Sequence, residues 1–345
     1  MAEAATTEEK SQSWRPLLWG LAAFFVMPLL PLGDVVFPIQ QTLLLFVPAL
    51  AVCSIVGWNS GSRAALAIIC VAAAASILFQ PVVWMRLQPV GLPGTSYDQM
   101  SRAWAIILVS SFGLVSLLNA ASGFFARALA AVGIAVGVGL AIALASPSGI
   151  ARFQRAGGEE FMRRAAATVT QFEAKWETPE WKDLTARAPI LQTMDEFGAD
   201  VERDLPARTT PLLPALLALE SLAALGLAWG VYHRLSRVRI GPPLGPLAEF
   251  RFSDQMVWAL AVGLTLSLLP AFSDGRSAGF NLLLFFGALY VIRGLGVLVW
   301  ISKGRYVFII VLSLIPQGVL LLGALALALG LGDTWLDIRK RARAT

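Results

Sequence analysis

Long apolar runs, each about as long as a bilayer is thick, constrain this chain more than any other feature. A helix needs about 20 consecutive apolar residues to cross the hydrocarbon core of a membrane. Runs of that kind recur along the chain and are separated by short hinges where charged residues gather. The sequence therefore predicts an all-α fold, a polytopic transmembrane helix bundle of eight to ten spans. The expected spans are residues 16–32, 37–57, 63–84, 103–122, 127–146, 211–233, 255–273, 279–301 and 305–331.

The charged residues support this interpretation because they are few and unevenly placed. Only 14% of the chain is charged and 57% is hydrophobic, whereas soluble domains carry about 25% charged residues. The net charge of +5 comes from basic residues beside the apolar runs. That placement is typical of anchoring next to a membrane and not of a nucleic-acid surface. We therefore expect the lipid bilayer as a partner and no nucleic acid.

A hydrophilic segment divides the chain into three parts. Residues 1–146 form an N-terminal membrane bundle of about five spans, and residues 211–345 a C-terminal bundle of three to four spans with a basic tail. Residues 147–210 carry two apolar stripes at helical spacing, and Thr178-Pro179 between them is a helix-start signal. The sequence predicts a helical hairpin whose stripes pack on each other or lie on the membrane. The stripes are Phe161, Ala165, Val169, Phe172 and Trp176, then Trp181, Leu184, Leu191, Met194, Phe197 and Val201.

Lysine and arginine in the short loops predict the orientation. They are in excess on one set of alternate loops, which is the cytoplasmic set. The sequence therefore predicts a multi-pass protein of the inner (cytoplasmic) membrane, with its N-terminus in the cytoplasm and residues 147–210 on the extracytoplasmic side. Nine complete spans, however, leave the basic tail of residues 339–343 outside. Pro316 and Gln317 interrupt the last run, so a broken or re-entrant pair of half-helices that returns the tail is the open alternative.

Two charged residues lie deep in apolar runs and need partners. Glu220 is about ten residues into the sixth span, and Arg293 about fourteen into the eighth. An unpaired charge at that depth costs about 2.5–3.5 kcal/mol on insertion scales. Their depths differ by roughly 6 Å, so we predict a Glu220–Arg293 pair inside the bundle, with an anion site or proton-coupled path as the functional alternative. Gln80, Asn281 and Gln317 are candidate polar residues of the bundle, where amides mostly bond neighbouring helices.

No catalytic or metal centre is expected. His233 is the only histidine, the two cysteines lie in separate apolar runs, and no phosphate-binding loop or nucleophile motif is present. We therefore expect no cofactor and no enzyme activity. The glycine pairs Gly133–Gly137 and Gly226–Gly230 suit close helix contact, and internal packing is favoured over dimerisation.

Several short segments of the C-terminal third carry a family resemblance. They are Phe250-Arg251-Phe252, Arg293-Gly294-Leu295, and Gly332-Asp333 running on to Asp337-Ile338-Arg339-Lys340-Arg341. With the plan of spans and insert, they resemble the YybS-like family of uncharacterised bacterial multi-pass membrane proteins. Arg293 departs from the glutamine that this family often has. More distantly, Leu21-Ala22-Ala23 in the first span is similar to substrate-binding subunits of energy-coupling-factor transporters.

Two functions remain open on this evidence. The first is a non-catalytic scaffold or assembly subunit of a membrane complex, which predicts a solidly packed bundle and other membrane-protein partners. The alternative is a small-solute-binding or transport subunit, which the transporter resemblance implies. It predicts a polar cavity near the outer face, covered by residues 147–210.

Overall fold

The computed structural model describes residues 14–29, 31–58, 64–79, 96–119, 122–176, 204, 206–236, 241–270, 275–302 and 316–339. All regular elements in these ranges are helices. They are α1 (Arg15–Val26), α2 (Pro31–Val36), α3 (Ile39–Trp58), α4 (Ala64–Phe79), α5 (Ser96–Leu118), α6 (Phe124–Ala145), α7 (Gly149–Trp176), α8 (Leu213–Leu235), α9 (Val257–Leu268), α10 (Arg276–Ile301) and α11 (Pro316–Leu336).

The predicted transmembrane helix bundle is confirmed. Among the described residues, six helices are long and apolar enough to cross a membrane, namely α3, α5, α6, α8, α10 and α11. Three shorter apolar helices, α1, α4 and the α9 segment, occupy three further predicted spans. The ninth predicted span, 305–331, is only partly described, because residues 303–315 lie outside the described ranges. Whether that run is one span or a re-entrant pair is therefore still a prediction.

Two predicted span boundaries were wrong. The first span ends at Val26, since the prolines at positions 28 and 31 interrupt the helix before the short α2 begins. The fourth span begins at Ser96 and not at residue 103. Asp98 and Arg102 pair within its first turns, at 3.0 Å between Oδ2 and Nε, and Arg102 also donates to carbonyls at the end of α4. Because Asp98 and Arg102 pair with each other, their charges do not end the helix. The start of the fourth span was therefore predicted too late in the chain.

The main core lies where α8 packs among α3, α5, α6 and α10. Aromatic side chains fill its centre, where the rings of Phe112 and Phe124 lie against Trp229 with centroids 6.1 and 5.5 Å away. Large apolar side chains elsewhere on the spans, such as Leu140 on α6 and Leu320 on α11, face outward. An outward apolar surface on long helices is what lipid solvation requires.

The first arm of the predicted hairpin is one long helix, α7, which covers one end of the bundle. Its Phe161 and Ala165 are buried, but against Val35, Tyr97 and Leu213 of the bundle, whereas the sequence predicted that this stripe packs on the second arm or lies on the membrane. These contacts place α7 over the ends of the bundle where α3, α5 and α8 begin. The second arm falls on residues 177–203, which lie outside the described ranges.

The last three helices form a tight unit. The contacts Asp254–Arg293 and Gly263–Gly279 show that α9 and α10 run in opposite directions. Helices α10 and α11 touch through glycine, since Gly294 lies directly against the backbone of Ala326. Small residues allow backbones to approach this closely.

Candidate functional site

Glu220 lies inside the bundle and is bound by two neutral side chains. It is 4% exposed and lies in the second turn of α8. Gln41 Nε2 donates to its Oε2 at 2.6 Å, and Thr42 Oγ1 donates to its Oε1 at 3.1 Å. Both partners come from the first turn of α3. The carboxylate is therefore hydrogen-bonded across the α3–α8 contact, without an opposite charge among these partners.

The hydrogen bonds continue from Glu220 toward α7. The hydroxyl of Tyr97, in the first turn of α5, donates to Gln41 Oε1 at 2.6 Å. The guanidinium of Arg164 on α7 lies over the ring of Tyr97, 4.9 Å from its centroid. We call Gln41, Thr42, Tyr97, Arg164 and Glu220 the Glu220 network. It joins four helices and runs from the interior to the covering helix.

Arg164 is held in place by groups on α7 and α2. Its Nε donates to Glu160 Oε1 at 2.8 Å, and its Nη1 donates to the carbonyl of Val35 at 3.1 Å. Burial raises the pKa of Glu160, but hydrogen bonds and charges from Arg163 and Arg164 outweigh it, so the pKa lies below its usual range. Glu160 therefore stays ionised and fixes the arginine that covers the network.

We expect the docking of α7 to weaken in acid. Because the folded-state pKa of Glu160 is lowered, its contribution is fully present above the free-carboxyl pKa of about 4.3. That contribution is lost as the pH falls through the lowered folded-state value. Hydrogen exchange of α7 peptides in detergent, corrected for the intrinsic pH dependence, measures it. Glu160→Gln removes the acid-dependent change, whereas Glu159→Gln, at an exposed neighbour, leaves it intact; equal profiles for both variants would contradict this role.

A second polar cluster joins α9, α10 and α11. Arg293 Nε pairs with Asp333 Oδ2 at 3.1 Å, and Arg293 Nη1 pairs with Asp254 Oδ1 at 2.7 Å. Arg339 Nη2 pairs with the same Asp333 oxygen at 2.7 Å, and Arg293 also lies 5.5 Å from the ring centroid of Phe252. The side chains of Arg293 and Asp333 are 2% and 0% exposed. We call these residues the Arg293 network.

The outer part of this cluster is more exposed and includes the start of the basic tail. Arg251 Nη1 pairs with Asp337 Oδ1 at 2.8 Å, with side chains 39% and 38% exposed. Arg339 donates to the carbonyls of Ala248 and Phe250 at 2.8 and 3.1 Å. Residue 339 therefore lies beside the connection between α8 and α9, whose arginines the sequence placed in the cytoplasm.

This contact predicts that the tail and the α8–α9 connection share one side of the membrane. We expect single cysteines at Gly245→Cys and Thr345→Cys to react with a membrane-impermeant maleimide from the same side. The two native cysteines, Cys53 and Cys70, are buried and are replaced by alanine beforehand. Labelling of intact and of inverted vesicles distinguishes the sides. If the two positions react from opposite sides, the Arg339 contact is wrong.

The predicted Glu220–Arg293 pair is not formed, because each residue has nearer partners. Helices α8 and α10 meet at their starts, where the amide N–H of Ala215 donates to Asn281 Oδ1 at 2.9 Å. Counted from that contact, Glu220 is five residues further along α8 and Arg293 twelve residues further along α10. For helices that leave this contact side by side, seven residues are about 10 Å. The span boundaries predicted from the sequence had made the difference in depth between Glu220 and Arg293 too small.

Of the other predicted polar residues of the bundle, the structure describes the side-chain contacts of Asn281 but not those of Gln80 and Gln317. Asn281 does connect two helices, since its Nδ2 also donates to the carbonyl of Pro211 at 2.7 Å. Gln80 lies outside the described residues, and the side chain of Gln317 is not described although its backbone begins α11. Of the glycine pairs, Gly226 and Gly230 pack inside the bundle against Phe124 and Leu17, whereas a Cβ added at Gly133 or Gly137 would meet no atom of another described residue within 4 Å.

Sequence reasoning missed most of the groups that complete these sites. Gln41 and Thr42 stand in a short polar stretch, Gln40-Gln41-Thr42, and a polar stretch at the start of a span is a usable signal. Nothing in the sequence marked Tyr97. Arg127, at the start of the predicted span 127–146, is fully buried, with its guanidinium 5.2 Å from the centroid of Trp229.

The ring of His233 lies beside backbone carbonyl groups. The ring nitrogens of His233 lie 3.1 and 3.2 Å from the carbonyls of Trp229 and Gly241. Within the ranges that the structure describes, no three histidine, cysteine, aspartate or glutamate side chains are grouped as metal ligands.

Comparison with known proteins agrees with the membrane assignment. Residues 193–334 match the model of the family described as "Predicted membrane protein (DUF2232)". A search of curated proteins and a search of solved structures found no match. The matched stretch contains Glu220, Arg293 and Asp333, but it leaves out the Gln41 and Tyr97 part of the Glu220 network. The protein is thus a multi-pass membrane protein whose family match assigns no activity.

Proposed function

We propose that this chain is a non-catalytic scaffold or assembly subunit of a complex in the cytoplasmic membrane of a bacterium. One observation carries the proposal: polar side chains inside the described spans are bonded from helix to helix. Glu220 links α8 to α3, Arg293 links α10 to α9 and α11, and Asn281 links α10 to the start of α8. Such bonds stabilise one arrangement of the helices. A fixed bundle suits a subunit that positions others.

In this proposal, partner proteins bind to the outward faces of the membrane-spanning helices. Of the six span-length helices, α6 and α11 are the least buried within the chain. Their outward side chains are apolar, including Ile134 and Ile142 on α6 and Val319 and Leu325 on α11. Other membrane-embedded subunits fit such faces better than a nucleic acid or a soluble protein does.

Affinity purification of the full chain in mild detergent tests this function. We expect a stable complex with other membrane proteins and without a bound small solute, identified by native mass spectrometry. An unrelated multi-pass protein with the same tag, purified in parallel, controls for unspecific association. Recovery of the chain alone at native expression level would contradict the scaffold role.

A small-solute-binding or transport subunit is the second candidate, and the position of the Glu220 network favours it. The network lies directly under α7, where a cover over a solute site is expected, and it contains an ionisable group within a span. This function predicts a co-purified solute and an ATPase pair. In the same purification, a solute that is lost in Glu220→Gln but retained in Glu249→Gln, an exposed position, would favour it over the scaffold.

A further inference from the structure

Among the residues that the structure describes, the hydrogen-bond partners of the Glu220 carboxylate are neutral. Within the described part of the chain, no lysine or arginine forms an ion pair with it. The guanidinium of the network, that of Arg164, lies over the ring of Tyr97, whose hydroxyl bonds to Gln41 and not to Glu220. A buried charge without a counter-charge is neutralised most readily by taking up a proton. The same residue therefore has a reason to exchange a proton.

We propose that Glu220 is a proton-binding site inside the bundle, within the hydrogen-bond network that extends through Gln41 and Tyr97 to α7. The site takes one proton from a hydronium ion onto a carboxylate oxygen, which leaves a water molecule, and on release the proton returns to water. It goes beyond the proposed scaffold role and does not depend on it.

The surrounding groups can serve both protonation states. With Glu220 ionised, Gln41 donates to the carboxylate and accepts from the hydroxyl of Tyr97, as observed. With Glu220 protonated, the acid group donates instead. Rotation of the Gln41 amide then offers its oxygen to Glu220 and its N–H to the oxygen of Tyr97. Thr42 has a hydroxyl that either donates or accepts, so no hydrogen bond is lost when the proton moves.

The charged groups around the site lie on one side of it. From α7 come Arg164 and its partner Glu160, with Arg163 beside them. From α2 comes Asp34, whose pKa is raised by burial and lowered by the two arginines, with the rise larger. The contacts from α3 are neutral, and α5 contributes the phenol of Tyr97. Protonation of Glu220 and the position of Arg164 are therefore coupled, since the arginine charge favours the ionised carboxylate.

Reaction with dicyclohexylcarbodiimide tests the site, because this reagent modifies protonated carboxyl groups in apolar surroundings. The full chain in detergent is treated at intervals between about pH 5 and pH 9 and the modified residue is identified by peptide mass spectrometry. We expect modification at Glu220, falling about tenfold per pH unit above its midpoint. Glu249, which is exposed, serves as the internal control and stays unmodified.

Two variants make the result decisive. Glu220→Gln abolishes the pH-dependent modification, and Arg164→Gln increases it about two- to tenfold at a fixed pH because the arginine charge is removed. Size-exclusion profiles verify that both variants remain folded. Absence of modification in the folded wild-type chain, or modification that does not change with pH, would overturn the proposal. Since co-purification of partners is a separate measurement, failure here leaves the scaffold function untouched.

Discussion

Alanine at Gly294 or Gly330 is expected to force α10 and α11 apart. A Cβ at Gly294 would collide with the carbonyl of Ala326, and one at Gly330 with the carbonyl of Tyr290. Both obstacles are backbone atoms, which cannot turn aside as a flexible side chain does. We therefore expect a loss of about 3 kcal/mol, the upper end of overpacking costs. Thermal unfolding of the detergent-solubilised chain measures it.

Two other glycines on the same helices provide the matched control. A Cβ added at Gly287 on α10 or at Gly323 on α11 would meet no atom within 4 Å in the described part of the chain. Alanine is a better helix former than glycine by about 1 kcal/mol, so Gly287→Ala and Gly323→Ala leave the melting temperature unchanged or raise it. If Gly294→Ala proves as stable as Gly287→Ala, the close packing of these two helices is wrong.

The second large effect is expected at Asp333. Its buried Oδ2 binds both Arg293 and Arg339, so Asp333→Asn leaves two guanidinium groups without their shared charge. Removing one partner of a buried ion pair costs about 3–5 kcal/mol. We expect that loss for Asp333→Asn, and a smaller further loss when Arg293→Gln is added. The cycle of single and double variants gives a coupling of about 1–3 kcal/mol between the two residues.

An exposed ion pair on the same chain sets the baseline. Arg208 and Asp204 pair at 3.0 Å, but their side chains are 78% and 56% exposed. The cycle of Arg208→Gln and Asp204→Asn is expected to give a coupling of at most about 0.5 kcal/mol. If the Arg293 and Asp333 substitutions are also additive, the pair does not stabilise the helix contact.

The helices were predictable from sequence, whereas the pairing of their polar groups was not. Each apolar run has to be helical in lipid, because only a helix satisfies its own backbone there. The cost of burying a charge likewise marked Glu220 and Arg293 as residues that need partners. Their actual partners depend on which helices are neighbours and at what depth. Gln41 and Glu220 are 179 residues apart in the chain, and no local pattern relates two such positions.

The segments that carry the C-terminal resemblance contain residues of the Arg293 network, but the resemblance did not show how these residues are arranged. Phe252, Arg293, Asp333 and Arg339 come from the three segments that carry the family resemblance, and Arg293 was also marked by the depth of its charge. In the structure they converge on the Arg293 network. Asp254, which completes it, was overlooked because it stands at a span edge, where an acidic residue needs no explanation.

The inner and outer ion pairs around Arg293 differ in exposure, so dissolved ions weaken them to different extents. At 1 M salt the screening length is only about 3 Å, so mobile ions weaken the half-exposed Arg251–Asp337 contact. They do not reach the Arg293–Asp333 contact, whose side chains are almost completely covered. High-salt washing of membranes is thus expected to weaken the Arg251–Asp337 contact, while Arg339 stays bound to the buried Asp333 and α11 keeps its place against α10. Concentrated salt is therefore a safe medium for removing loosely attached proteins from this one.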